Sequence, residues 1–317
     1  MATYELKPTT DNVRWGVFDA SIPPVLTVNS GDTVTIETVS GAPDIIPPAA
    51  SGLKISPHLQ AIHASVPRRG VHILTGPVAV AGAEPGDMLE VRIDAISPNS
   101  DWGYGGNRPL MGTLPEDFPE KYIAHLPIDR ARGVCRTPWG AELKLAPFFG
   151  VMGVAPPPRY GALNTKEPRE HGGNIDNKEL VAGSKLFLPV FVPGANFSVG
   201  DGHGLQGDGE VSVMALETNL RGTFTLVLHK KQPGGAPLLA FPRAETPDHY
   251  ISMGMNEDLD QAMKQALREM IAFITRSSNL SAHDAYMLCS LAVDFHVTQS
   301  VNGEKGIHGM LRKDLLR

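Results

Sequence analysis

Gly-Asp turns constrain this chain more than any other feature. Ser30-Gly-Asp32 precedes Val34-Thr-Ile-Glu-Thr38, and Pro85-Gly-Asp87 precedes Leu89-Glu-Val-Arg-Ile93. Gly207-Asp208-Gly209 precedes Glu210-Val-Ser-Val-Met-Ala-Leu-Glu217. Each turn releases a run of alternating apolar residues, the period of a strand with one face in a core. The phrase is too short to establish an internal duplication, and Gly-Asp is also a common turn in its own right. Further strands are predicted at residues 25–28 (VLTV), 186–192 (LFLPVFV), 224–228 (FTLVL) and 295–299 (FHVTQ). The 33 glycines and 27 prolines are spread along all 317 residues, the punctuation of many short strands and ordered loops.

Near the C-terminus the period changes. Between residues 258 and 275, Leu259, Met263, Ala266, Leu267, Met270, Ile271 and Ile274 fall on one helical stripe. Ser281-Ala-His-Asp284 opens a second helix as a capping box with Asp in place of Glu. The expected fold is mainly β, of β-sandwich type, with a small C-terminal helical pair within 258–292. One domain over 1–317 is expected, with two packed β subdomains, about 1–165 and 166–317, as the alternative division. Residues 97–175, rich in Pro, Gly, Trp and Phe, read as functional loops.

Composition excludes several classes. A net charge of −6 is the wrong sign for a nucleic-acid surface. No apolar run approaches the roughly 18 residues of a membrane span. The start, MATYELKPTT, lacks the basic and apolar regions of a signal peptide. Two cysteines are too few for a disulfide scaffold, so a reducing cytoplasm is expected. No Gly-x-Ser-x-Gly elbow, Walker loop or dinucleotide fingerprint occurs. Cys289 reads as helix core; Arg132 and Arg136 would depress the pKa of Cys135, which has no triad-like context. A hydrolase on this chain would therefore use a metal-activated water.

Residues 200–210, GDGHGLQGDGE, offer that chemistry. Carboxylates and an imidazole suit zinc, manganese or calcium, and glycines let backbone close around an ion. His203 reads as a ligand or catalytic group, or as a turn-capping histidine. Asp201 carries the same two readings, whereas Asp208 reads as an Asx-turn residue. Asp176, in Gly172-Gly-Asn-Ile-Asp176, is a second carboxylate behind glycines, or a cap for the next turn. On a strand over 210–217, Glu217 would share the apolar face of Val211, Val213 and Ala215, where its charge requires a partner. Glu210 would open that strand beside the loop. His72 faces either the core or the same pocket, and Glu179 reads as structural.

These blocks resemble the acetamidase/formamidase family over nearly the whole chain. They include RWGVFDASIPPVLTVNSGDTVTIETVSG, HILTGPVAVAGAEPGDMLEVRI and GGNIDNKEL. LPVFVPGANFSVGDGHGLQGDGEVSVMALET and LSAHDAYMLCSLAVDFHVTQSVNG follow. The resemblance implies a β-rich sandwich and hydrolysis of a small amide to carboxylate and ammonia. It also implies a divalent metal, zinc by preference with calcium or manganese as alternatives. Carried over by motif, Asp176, His203 and Glu217 are the expected metal ligands, with Glu210, His72 and Asp201 as catalytic candidates. A homo-oligomer is expected, with no nucleic-acid or membrane partner. Alternatives are hydrolysis of a carbamate, lactam or larger amide, or a non-catalytic sandwich binding a metal or small ligand. Two positions depart from the family pattern: Arg14 stands where histidine precedes the tryptophan, and Asn196 replaces a bulky apolar residue. Both departures bear on the expected pocket.

Overall fold

The first two Gly-Asp turns show why strands follow them. Gly31 and Gly86 adopt φ of +91° and +92°, which L side chains rarely reach. Each following aspartate folds back on its own turn. Asp32 Oδ2 accepts from the Asn29 amide at 3.0 Å, and Asp87 Oδ2 from the Glu84 amide at 2.8 Å. The chain leaves as Thr33–Glu37 and Met88–Asn107. The third turn differs: Gly207 is not in the left-handed region, and Asp208 pairs instead with Lys178 at 3.0 Å and His296 at 3.3 Å. No strand follows it. Residues 210–216 are irregular, and the next strand starts only at Glu217.

The computed structural model describes residues 1–316. Eighteen strands join in one hydrogen-bonded sheet network, beside a two-stranded ribbon of Val17–Phe18 and Leu163–Asn164. The fold is mainly β, as the alternating pattern predicts. Thr33–Glu37 shows how that pattern works. Val34 and Ile36 are fully buried, while Thr33 and Thr35 bond the hydroxyls of Thr225 and Thr223 across the antiparallel strand Glu217–His229, at 3.0 and 3.1 Å. The main core gathers Val34, Ile36, Leu89, Phe149, Phe197 and Phe224 from five strands. Met88–Asn107 continues through DWGYGGN, and Phe148–Gly153 is a buried strand. The 97–175 region is thus partly sheet: Trp102, Tyr104, Phe148 and Phe149 on these strands face cores, whereas Phe118, Trp139 and Tyr160, outside them, stay exposed.

Among the described residues, three α-helices accompany the sheet. α1 (Pro57–Ser65) lacks a sequence signal strong enough to predict it; it buries Leu59 and Ile62 against Val13, Trp15 and Ile73. α2 (Leu259–Ser277) and α3 (Ala282–Ala292) are the predicted C-terminal pair. Asp258 caps α2 through the Gln261 amide, and Ser281 caps α3 through that of Asp284. The buried line of α2 is Ala262, Ala266, Met270 and Ile274, with Met263, Leu267 and Ile271 half-buried beside it. Small residues lead that line because Gly254 of the strand His249–Asn256 lies against it; a Cβ on Gly254 would meet the Ala262 oxygen at 2.0 Å.

Candidate metal centre

Gly200–His203 belong to the buried strand Phe197–His203 rather than to a loop. The irregular segment begins after it. Phe148 and Phe149 of Phe148–Gly153 pair with His203 and Gly202, while His203 pairs with Glu217 at the start of Glu217–His229. Strand pairing therefore brings Glu217 beside His203, and the same-face argument from a 210–217 strand is not the reason. Asp176 follows Gly172–Asn174 and donates its amide to the Gly150 carbonyl at 3.1 Å. Asp176, Asp201 and Glu210 adopt φ of 50°, 56° and 42°. This left-handed conformation is uncommon outside glycine and clusters where function demands it.

His203 is fully buried at the centre. Its Nε2 lies 3.2 Å from Asp201 Oδ2 and 3.3 Å from Glu217 Oε1, without the geometry of a hydrogen bond to either. Its Nδ1 is 3.0 Å from Gln206 Oε1, while Gln206 Nε2 donates to the Asp176 and Thr298 carbonyls at 2.8 and 3.4 Å. Those two acceptors set the amide orientation, so Oε1 accepts and His203 Nδ1 carries the proton. Nε2 is then free to ligate, the usual arrangement behind a metal-bound histidine. Asn302 Nδ2 donates to Asp176 Oδ2 at 2.9 Å and to Glu210 Oε2 at 3.4 Å. His72 Nδ1 is 3.0 Å from the Thr165 carbonyl, and its Nε2 is 3.7 Å from Asp201 Oδ2.

Two triads of ligand-capable atoms share His203: Asp176, His203 and Glu210, and Asp201, His203 and Glu217, each within 4.8 Å. All six residues singled out from sequence surround this point; Asp176 and Glu217 lie in different triads joined through His203. Glu210 does not begin a strand. It lies in a turn, its amide donating to the Gly207 carbonyl at 3.3 Å.

The charge balance is one-sided. Four carboxylates, Asp176, Asp201, Glu210 and Glu217, are buried together, and among the described residues none pairs with lysine or arginine. Burial pushes Asp176 well above the usual carboxylate range, and the neighbouring Glu210 adds to it. Burial likewise pushes Glu210 up to about 8. Asp201 is held low: burial would raise it, but His72 and His203 outweigh that. Burial would lower His203, but Glu217 and Asp201 raise it well above the ordinary histidine value. Such a cluster calls for a cation.

The residues fit one. His203 Nε2 and Asp176 Oδ1 are buried without a hydrogen-bond partner. Gly150 leaves a cradle between them: a Cβ there would lie 2.5 Å from Asp176 Oδ1 and from Asp201 Oδ2, and 2.9 Å from His203 Cε1. One imidazole nitrogen with carboxylate oxygens is a donor set for zinc or manganese.

The centre opens onto a cavity of about 220 Å³ lined by His72, Tyr104, Asp201, Glu210, Glu217 and Asn302. Arg68, Arg108 and Lys166 also line it. Arg14 and Asn196 do not. Arg14 bonds the Asp11 and Val13 carbonyls and borders a separate surface cleft. Asn196 follows Gly194 and Ala195 in a run of positive φ, 83°, 60° and 59°, which Asn tolerates better than a bulky apolar residue. Cys135 and Cys289 are buried free thiols whose pKa burial raises, so the arginines near Cys135 do not activate it. Sequence reasoning missed Gly150, Gln206 and Asn302. A glycine inside the apolar strand FFGVMG, as Gly150 is, signals close approach; no local pattern marks the other two.

A family model described as the Acetamidase/Formamidase family matches residues 5–161 and 159–305. The chain is 31% identical to the acetamidase of Mycolicibacterium smegmatis over 199 residues, 44% of this chain and 49% of that protein. It is 32% identical to the formamidase of Methylophilus methylotrophus over 193 residues, 45% of this chain and 47% of that protein. These matches thus span about half the length of the curated relatives. The crystal structure of an acetamidase from Bacillus halodurans superimposes with a TM-score of 0.84 at 30% identity, covering 98% of both chains.

Proposed function

The chain belongs to the acetamidase/formamidase family, and from that premise we propose that it hydrolyses a small amide to carboxylate and ammonia. The observation that carries this reading is the buried cluster of four carboxylates around His203, opening onto a cavity. Asp176, His203 and Glu217 would hold a divalent ion, zinc by preference, with Asp201 beside them. When bound, the ion supplies Lewis-acid polarisation of the amide carbonyl and acidification of water. Glu210 lines the cavity, and Asn302 orients it. Its raised proton affinity suits it to take a proton from water and return it to nitrogen. The water oxygen bonds to the carbonyl carbon, the C–N bond breaks, and that proton leaves with ammonia. His72, fixed on Thr165, presents Nε2 beside Asp201 as a second proton carrier.

A second reading concerns substrate size. The cavity far exceeds the roughly 15 Å³ that admits one water, and Arg68, Arg108 and Lys166 line it. This favours an amide larger than acetamide, with a polar or anionic acyl end. Self-association is supported by Tyr286, Met287 and Leu291 exposed on α3, and a reducing cytoplasm by the two free thiols. No helix among the described residues is long and apolar enough to cross a membrane.

Ammonia release from formamide, acetamide and longer amides, including carboxylate-bearing ones, tests the proposal. Activity should require one divalent ion in the centre and vanish on chelation. A metal-loaded protein that releases ammonia from none of them is a binding protein instead.

A further inference from the structure

The third Gly-Asp turn, which launches no strand, leaves Asp208 for another task. The antiparallel register pairs His296 of Val293–Gln299 with His308 of Lys305–Arg312. Their rings stack with centroids 5.1 Å apart and planes 14° from parallel. Asp208 Oδ2 lies 3.3 Å from His296 Nδ1, close to the edge of a tetrahedron with metal–ligand bonds of about 2.0–2.1 Å. Ligand-capable atoms of Asp208, His296 and His308 all lie within 4.8 Å of one another.

His308 is 1% exposed. Its Nδ1 is 2.7 Å from the Thr298 hydroxyl, and its Nε2 has no partner among the described residues. A buried imidazole nitrogen without a hydrogen bond is costly unless something binds it. Lys178, 3.0 Å from Asp208 Oδ2, already places one positive charge at the site.

We propose that Asp208, His296 and His308 form a second divalent-metal site, zinc by donor chemistry, outside the catalytic cluster. Two imidazoles and one carboxylate make three ligands and leave a fourth position for water. The site would act as a clamp. Asp208 belongs to the segment that carries Glu210, and the two histidines to the last strands. Thr298 bridges the two centres: its hydroxyl meets His308, while its carbonyl accepts from the Gly209 amide and from Gln206, which orients His203. Metal there would hold Gly209 and Glu210 against Val293–Gln299.

Zinc stoichiometry by equilibrium dialysis tests this independently of any amidase activity. The wild type should bind one equivalent more than Asp208→Asn and than His296→Ala, two half-exposed positions whose replacement leaves the core intact. Cobalt substituted for zinc should lose one set of visible bands in each variant. Lys178→Ala should tighten the same equivalent by about two- to fivefold, the fold-change of removing one exposed competing ion pair. Both variants binding as much zinc as the wild type, with unchanged circular dichroism, would overturn the site. Weaker zinc binding in Lys178→Ala would overturn the arrangement, since lysine would then be supporting rather than competing.

Discussion

Glu210 and His171 show how one buried side chain can be decisive for opposite reasons. Glu210→Gln keeps the shape and the bond to Asn302 but removes the base. It should lower kcat by on the order of 10²–10⁴ while metal content stays the same. Wild-type turnover in the variant would exclude Glu210 as the base, and loss of metal would move it into the ligand set. His171 has no role in the cavity. It is buried edge-on to Phe18, and neither ring nitrogen has a hydrogen bond among the described residues. Burial, with Arg169 nearby, lowers its pKa to about 3. Since the unfolded chain protonates this ring near pH 6.5, its stabilisation is complete above that value and falls between about 6.5 and 3, by at most about 1.4 kcal/mol per pH unit. Urea unfolding at pH 7 and pH 5 should show wild type losing about 1–2 kcal/mol more than His171→Phe. Equal losses would refute the assignment.

Elements meet at a few glycines that no larger residue can replace. Gly254 allows α2 to rest on His249–Asn256, and a Cβ there would meet the Ala262 oxygen at 2.0 Å and the Ala266 nitrogen at 2.5 Å. Both contacts are backbone, so relief requires moving the helix. Gly254→Ala should cost about 2–3 kcal/mol, at the upper end for overpacking, despite adding one methyl group. Denaturant unfolding measures it; a loss below about 0.5 kcal/mol, the scale of a surface change, would mean the helix shifts freely. The segment after His203 illustrates the reverse case. Its alternating residues 210–216 resemble a strand but find no partner strand, and Val211 stays 62% exposed. That irregularity points Glu210 into the cavity.

Across the molecule, pairing ignores the midpoint of the chain. Ile73–Val80 pairs with Phe197–His203, Thr33–Glu37 with Glu217–His229, and Met88–Asn107 with both Lys185–Pro189 and Glu217–His229. Residues 1–165 and 166–317, expressed separately, should each lack cooperative unfolding, whereas the full chain should unfold in one transition by circular dichroism and tryptophan fluorescence. Two separable transitions would instead establish subdomains of independent stability.

The sequence by itself determined what depends on neighbours along the chain. Period-two runs behind Gly31-Asp32 and Gly86-Asp87 became strands because backbone conformation and side-chain alternation are local properties. The capping box at Ser281 marked a helix start for the same reason. Glycine-flanked carboxylate and imidazole marked Asp176 and His203 as candidates, and the resemblance to the family grouped them with Glu217. Tertiary structure alone decided how those partners meet. Glu217 reaches His203 through strand register, Gln206 reaches it by spanning to Asp176 and Thr298, and Asn302 arrives from the C-terminal end. Asp208 looks like the two earlier turn aspartates, yet it differs because His296 and His308 come from strands some 90 residues later. Contacts between distant segments follow from which sheet edges pair and which cores fill. No local spacing encodes that outcome.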